Sequence, residues 1–347
     1  MAVIESWHRM ADLGELEAPV LLVVVDAEEE FDWRKPFDRS SRGISSFSDN
    51  ARAHEIYEDF GVEPTYCVDQ CIVESDEAVG FLSNLEAQGK CSIGAHLHPW
   101  VTPPYEEEVN VFNSFHGNLP RELEEKKIAF ITQSITQVFG QKPTIFRAGR
   151  YGVGPNTIDI LKKYGYEIDC SYVPHTSYAH EDGPSFIGCC DQPFWFDDGQ
   201  SILEIPLTRG LSGVASGAFP RRLSGIFDAG WSRKIRIPSV LSVTGMVERI
   251  ALTPEGMTVE DQKRLLLSMR RQGKQVFSLT YHSPSLSIGH TPYVQSRADL
   301  DRFLVAIREV LQFFRDEIGG EFSTLQAVHK KALSAGTAGA DIVAARS

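Results

Sequence analysis

The chain has 347 residues, ample for one large α/β domain and scarcely enough for two. Hydrophobic residues make up 42% and charged residues 23%, the balance of an ordinary soluble globular protein. The net charge of −13, with no Lys/Arg run, argues against a nucleic-acid or anionic-membrane surface, and leaves no general attraction for an anionic ligand unless a metal or a local Arg pair provides it.

The opening stretch, MAVIESWHRMADLGELEAP, is charged throughout and has no apolar core of signal-peptide length. The longest apolar run, Val20 to Val25, is too short to span a bilayer. None of the six cysteines forms a CxxC pair, and Cys189 and Cys190 are adjacent, so reduced cytosolic thiols that fill core space are expected. From 18–26, APVLLVVVD reads as a buried strand, being apolar on both faces and β-branched. A helix follows over 48–61, then the strand EPTYCVDQ, the helix ESDEAVGFLSNLEAQGK and the strand CSIGAHLHP. RELEEKKIAFITQSITQVFG (121–140) reads as a helix, KPTIFRAG as a strand, GPNTIDILKKYG as a helix, and YEIDCSYVP and ILEIPLT as strands. Residues 210–250 look like an irregular insertion or flap; a helix (TVEDQKRLLLSMRRQG), a strand (KQVFSLTYHS) and a long final helix from SRADLDRF complete the order.

This alternation predicts an α/β fold, a distorted (β/α) barrel of about seven strand–helix units. The expected organisation is an N-terminal extension over 1–17, one barrel over 18–330 and a flexible tail over 331–347. No GxGxxG or GxxxxGK[ST] follows a strand, so nothing supports a nucleotide fold.

The chemistry-bearing residues fall at the C-terminal ends of the strands, the rim where barrel enzymes build their sites. Asp26 and Glu28 are two apart, which in extended chain puts them on one face, and Asp32 would extend it. His96 and His98 share a face in the same way and make a natural chelate for a divalent metal alongside a carboxylate. Arg147 ends the FRAGRYG strand between residues that allow close backbone approach; a salt bridge closing the barrel mouth is its other reading. His282 ends the last apolar strand and has the pKa range of a general acid or base.

In this order the motifs VVVDAEEEFDW, GAHLHPWVTPP, FRAGRYGVGP, EIPLT and YHSPSL resemble the polysaccharide deacetylase (NodB-homology) family, in particular its WalW-like branch, over roughly residues 18–330. The resemblance implies a metal-dependent deacetylase in which Asp26 is the base, Glu28 and His96 are metal ligands, and Arg147 orients the base. It also implies that His282 is the acid, that backbone N–H near Tyr151 serves the oxyanion, and that Trp195 and Phe196 wall the acyl group. Two departures stand out. The second carboxylate is displaced by one position, and the family's H-x-x-x-H would put the second His where Trp100 stands. His98 is the obvious replacement, with His116 the alternative.

The function this implies is removal of N-acetyl, or O-acetyl, groups from a saccharide or polysaccharide precursor in the cytoplasm. One divalent ion would be needed, zinc first, with cobalt or nickel as alternatives. Two other readings stay open: hydrolysis of another non-peptide C–N bond, as in a cyclic amide, and a non-catalytic carbohydrate-binding barrel.

Overall fold

The computed structural model describes residues 9–32, 35–212 and 248–344. β1 (Arg9–Met10) lies at one edge of the main sheet. β2 (Val20–Ala27), β3 (Thr65–Val68), β4 (Ser92–Leu97), β5 (Ile145–Ala148) and β6 (Ile168–Asp169) are parallel neighbours in chain order. β7 (Phe194–Trp195) and β8 (Leu203–Glu204) extend the sheet beyond β6, and β7 runs antiparallel to both β1 and β8. β9 (Arg209–Ser212) and β10 (Glu248–Ala251) form a separate antiparallel ribbon. β11 (Val276–His282) lies parallel to β2 on its other side, and β12 (Glu321–Phe322) pairs with the first residues of β2, before β3 begins to pair.

Period-two alternation sorts the strand residues onto two faces. Leu21, Val23, Val25, Tyr66, Ile93, Phe146 and Phe277 face outward. There they pack under α1 (Asn50–Phe60), α3 (Asp76–Ala87), α4 (Arg121–Phe139) and the helices that follow β10, with the short α2 (Gln70–Val73) between β3 and α3. Val20, Leu22, Val24, Cys67, Ile145, Ile168 and Val276 face inward and fill the lower part of the curled sheet. The interior is narrow: a Cβ on Gly94 would sit 3.0 Å from Cys67 Sγ and 3.1 Å from an Ile145 methyl.

α5 (Thr157–Lys163), α6 (Val259–Arg271) and α7 (Arg297–Asp316) complete the outer layer, and Leu325, Val328 and Ala332 of α8 (Leu325–Ala344) pack onto the inner cluster. Among the described residues β11 has no strand on its far side, yet its edge amides are not left bare. Val276 N–H donates to Gln192 Oε1, Ser278 N–H to Thr208 Oγ1, Thr280 N–H to the Leu252 carbonyl and His282 N–H to Glu255 Oε1. Side chains and one loop thus stand in for the strand that would close the barrel.

The architecture is the expected distorted (β/α) barrel. The helix expected to be last is followed by another. Past the turn at Gly319 (φ +67°), α8 continues to Ala344, across the boundary expected near 330 and into the stretch expected to be a flexible tail. Its Ala-rich composition favours helix despite two glycines. Part of the N-terminal extension joins the sheet through β1. The expected 210–250 insertion lies mostly outside the described residues.

Candidate metal and acid–base site

The inward parity that stacks Val20, Leu22 and Val24 continues to Asp26 at the strand end, and register places His282 beside Asp26 and His96 beside Arg147. The interior therefore turns from apolar to ionisable at its upper end. A cavity of about 420 Å³ opens there, lined by Asp26, Glu28, His96, His98 and His282, a size suited to a small-molecule site.

Glu28 Oε2 lies 3.4 Å from His96 Nε2 and 3.5 Å from His98 Nε2, and the two Nε2 atoms are 3.1 Å apart. The other nitrogen of each ring is committed. His96 Nδ1 is 3.1 Å from the Arg147 carbonyl, which can only accept, so this nitrogen carries the proton. His98 Nδ1 is 2.8 Å from Glu29 Oε2, while Trp100 Nε1–H donates to Glu29 Oε1 at 2.8 Å. Burial, and then the neighbouring imidazole, hold His96 down at about 3. Burial is also the main cause that holds His98 down at about 4. Both rings are thus neutral at pH 7, with bare Nε2 lone pairs aimed at one point.

Glu28 Oε1 is buried without a hydrogen-bond partner, and burial followed by the nearby Glu29, Asp26 and Asp69 pushes this carboxyl well above its ordinary range, against the pull of His282. Two bare imidazole nitrogens and one carboxyl oxygen converge, and once Glu28 gives up its proton no donor stands among the three atoms. At zinc–ligand distances of about 2.0–2.1 Å, a tetrahedral ion spaces its ligand atoms by about 3.3–3.4 Å. The observed spacings bracket that figure, so these residues fit a divalent cation.

Asp26 is fixed from one side by Arg147, whose Nε lies 2.9 Å from Oδ1. Arg147 is itself fully buried, and donates to the Cys170 carbonyl at 2.6 Å and to Thr280 Oγ1 at 2.9 Å. Burial alone would raise Asp26, but Arg147, then His96 and His282, outweigh it and hold the carboxyl below its ordinary range. His282 Nε2 is 3.7 Å from Asp26 Oδ2, and its Nδ1 is 2.8 Å from Glu255 Oε2. Burial disfavours the His282 cation, yet Glu255, Glu28 and Asp26 together raise it to about 10.

Tyr151 lines the cavity near Arg147, whose guanidinium lies 5.3 Å from its ring. Arg150 and Tyr151 both adopt positive φ (52° and 57°), a strained turn directly behind the site. Gly149 touches His98 closely: a Cβ there would lie 2.3 Å from His98 Cδ2.

The structure brings together Asp26, Glu28, His96, His98, Arg147, Tyr151 and His282. It does not bring His116, which is buried against Glu124 Oε1 at 3.1 Å on another side of β5. Asp32 pairs with Lys35 at 3.7 Å. The expected acyl wall of Trp195 and Phe196 is corrected. Trp195 packs into the inner core against His329 of α8, and Phe196 packs on Tyr172 in the outer core. Both follow from β7 being a short antiparallel strand tied to β1. The aromatic wall is instead made by Phe31, Phe37, Tyr151, Tyr178 and Tyr293.

Two carboxylates that contact site histidines have no signature in the sequence. Glu29 follows the strand end and reads as part of an acidic loop. Glu255 lies in a turn with no motif that points to His282.

No protein-family profile and no curated protein matches the sequence. Among solved structures, a Mycobacterium smegmatis protein put forward as a polysaccharide deacetylase matches with 14% identity over 94% of each chain and a TM-score of 0.51. The Puue allantoinase matches with 13% identity over 90% of this chain and 89% of that one, with a TM-score of 0.50. The fold of this chain is thus that of the polysaccharide deacetylase (NodB-like) group, which also includes an allantoinase.

Proposed function

We propose that the protein is a metal-dependent hydrolase that removes an acetyl group from the nitrogen, or alternatively the oxygen, of a saccharide or polysaccharide precursor. The observation that carries this reading is the convergence of Glu28 Oε2, His96 Nε2 and His98 Nε2 within 3.1–3.5 Å, beside the Asp26–Arg147 and His282–Glu255 pairs. A divalent ion held by those three side chains, zinc first and cobalt or nickel as alternatives, would polarise the acyl carbonyl and lower the pKa of a bound water.

Asp26, kept ionised by Arg147, takes the proton from the attacking water. Backbone N–H near Tyr151 serves the developing oxyanion. His282, charged and held by Glu255, delivers a proton to the leaving nitrogen, which cannot depart as an anion. The products are acetate and a free amino sugar. Location in the cytoplasm is part of this proposal, and the absence of disulfides among the six cysteines supports it.

The fold likeness to an allantoinase favours one second reading, cleavage of a cyclic amide by the same groups. Metal analysis of the purified protein, followed by acetate release from N-acetylglucosamine oligosaccharides beside allantoin turnover, decides between the two. About one ion per chain and acetate release are expected. Turnover of allantoin alone moves the assignment to the second reading. A protein that takes up no ion, with neither turnover, refutes both readings and leaves a binding barrel.

A further inference from the structure

We infer that the cavity is built for a substrate bearing a carboxylate or phosphate group, which Arg209 receives. This rests on the proposed saccharide reading and deepens it. The charged groups lining the cavity pair off. Asp26 is held by Arg147 and His282, Glu255 by His282, and Glu181 by Arg150 and His180. Glu28 faces the candidate metal position.

Arg209 remains. It lines the same cavity, is partly buried, and among the described residues has no carboxylate within ion-pair distance. One guanidinium nitrogen, Nη1, donates to Thr176 Oγ1 at 2.7 Å; no other side-chain hydrogen bond of Arg209 is formed with the described residues. A partly desolvated cation with open donors is costly in a protein unless a ligand completes it. A guanidinium anchored at one nitrogen presents the rest of its fork to a planar carboxylate or to phosphate.

The fold keeps this group in place. β9 carries Arg209 opposite Ala251 of β10, and the chain runs on from there to Glu255, the partner of His282. Leu265 and Met269 of α6 press on Gly210, where a Cβ would sit 2.9 Å from Leu265 Cδ1, so the strand that bears Arg209 is seated firmly. Arg209 is thus the cavity arginine, among the described residues, that is left to receive an anion in an acidic chain.

The test is calorimetric binding of glucuronate, glucose 6-phosphate and glucose to the zinc-loaded full chain, as wild type, Arg209→Gln and Arg209→Lys. None of these sugars has an acyl group, so the result does not depend on turnover; acetate release from N-acetylglucosamine reads the underlying function separately. At least one anionic sugar should bind about tenfold or more tightly than glucose, as a charge-assisted contact provides. That preference should vanish in Arg209→Gln and survive in part in Arg209→Lys. The carboxylate and phosphate arms show which anion the site takes. Equal binding of all three sugars, no detectable binding of either anionic sugar, or a preference that persists in Arg209→Gln overturns the inference.

Discussion

Two side chains divide the work of proton transfer and metal positioning, and each can be tested alone. His282 is held by Glu255 at 2.8 Å and stands 3.7 Å from Asp26 without converging on the three ligand atoms. His282→Ala should keep fold and metal and lose about 10²–10⁴ in turnover, the usual worth of a positioned acid. An activated substrate whose leaving group needs no proton should escape most of that loss, and equal losses on both substrates would remove the acid role. Glu29 acts on the metal through His98. It accepts from His98 Nδ1 and from Trp100 Nε1, while Asp69, pushed well above the ordinary carboxylate range by burial and by Glu29, keeps the proton of that pair. The Trp100 ring stacks 4.3 Å from His98 and closes the assembly. Glu29→Leu should weaken zinc binding by about 10–100-fold, the usual cost of losing a ligand's hydrogen-bond partner. Glu29→Gln, which still accepts, should lose less. A competition titration with a chromophoric chelator measures both, and unchanged affinity in Glu29→Leu would separate Glu29 from the metal.

At the scale of elements, the strands and the helices between them were legible, and the turns and the late ribbon were not. A period-two alternation that ends in Asp26, His96, Arg147 or His282 states both where the strand stops and which face the last side chain takes, so four inward-facing residues could be placed from sequence. That rule ends with the strand. Glu29 lies past the end of β2 at Ala27, where parity no longer fixes direction, and it turns back to the far nitrogen of His98. Glu255, Arg209, Tyr178 and Tyr293 come from the β9–β10 ribbon and from turns, whose positions depend on packing that no local pattern encodes. Trp195 shows the opposite error: an aromatic residue near the right strands was assigned to the acyl wall, when its short strand carries it into the inner core. The closure of the barrel is equally tertiary. Gln192 Oε1 accepts from Gln275 N–H at 2.9 Å and Val276 N–H at 3.0 Å, and its Nε2 donates to the Val276 carbonyl at 2.9 Å. Gln192→Ala leaves these backbone groups bare and should cost about 2–6 kcal/mol, from about 1–3 kcal/mol for each of the two buried Val276 groups. Chemical denaturation should show that loss with zinc content unchanged. A variant as stable as wild type would mean that the β11 edge does not depend on this side chain.

For the whole molecule, the cavity concentrates groups that the folded chain holds in costly protonation states, and this sets how stability responds to pH. Burial raises Glu28 well above its ordinary value of 4.5 in the metal-free protein. A carboxyl raised in the folded state contributes stability that is complete below the unfolded pKa and is lost as pH rises through the folded one. His282, raised to about 10 by Glu255, Glu28 and Asp26 against the effect of burial, acts in the same direction: its contribution is complete below about 6.5 and is lost towards pH 10. His96 and His98, held at about 3 and about 4, act in the opposite direction, but only as pH falls below about 6.5. Above pH 7 these two rings are neutral in both states and silent, so Glu28 and His282, with Asp69 raised beside Glu29 acting in the same direction, set the slope for this site. The metal-free protein should therefore lose stability steadily from pH 7 to pH 9. A divalent cation reverses the term from Glu28, because the ionised carboxylate becomes a ligand, and binding should release a proton whose share grows as pH falls. Thermal unfolding of zinc-free and zinc-loaded protein across pH 7–9 should show the melting temperature of the zinc-free form falling and the gap between the two forms widening. Parallel curves, or a zinc-free form that gains stability with pH, would mean that Glu28 is not the carboxylate the ion displaces a proton from.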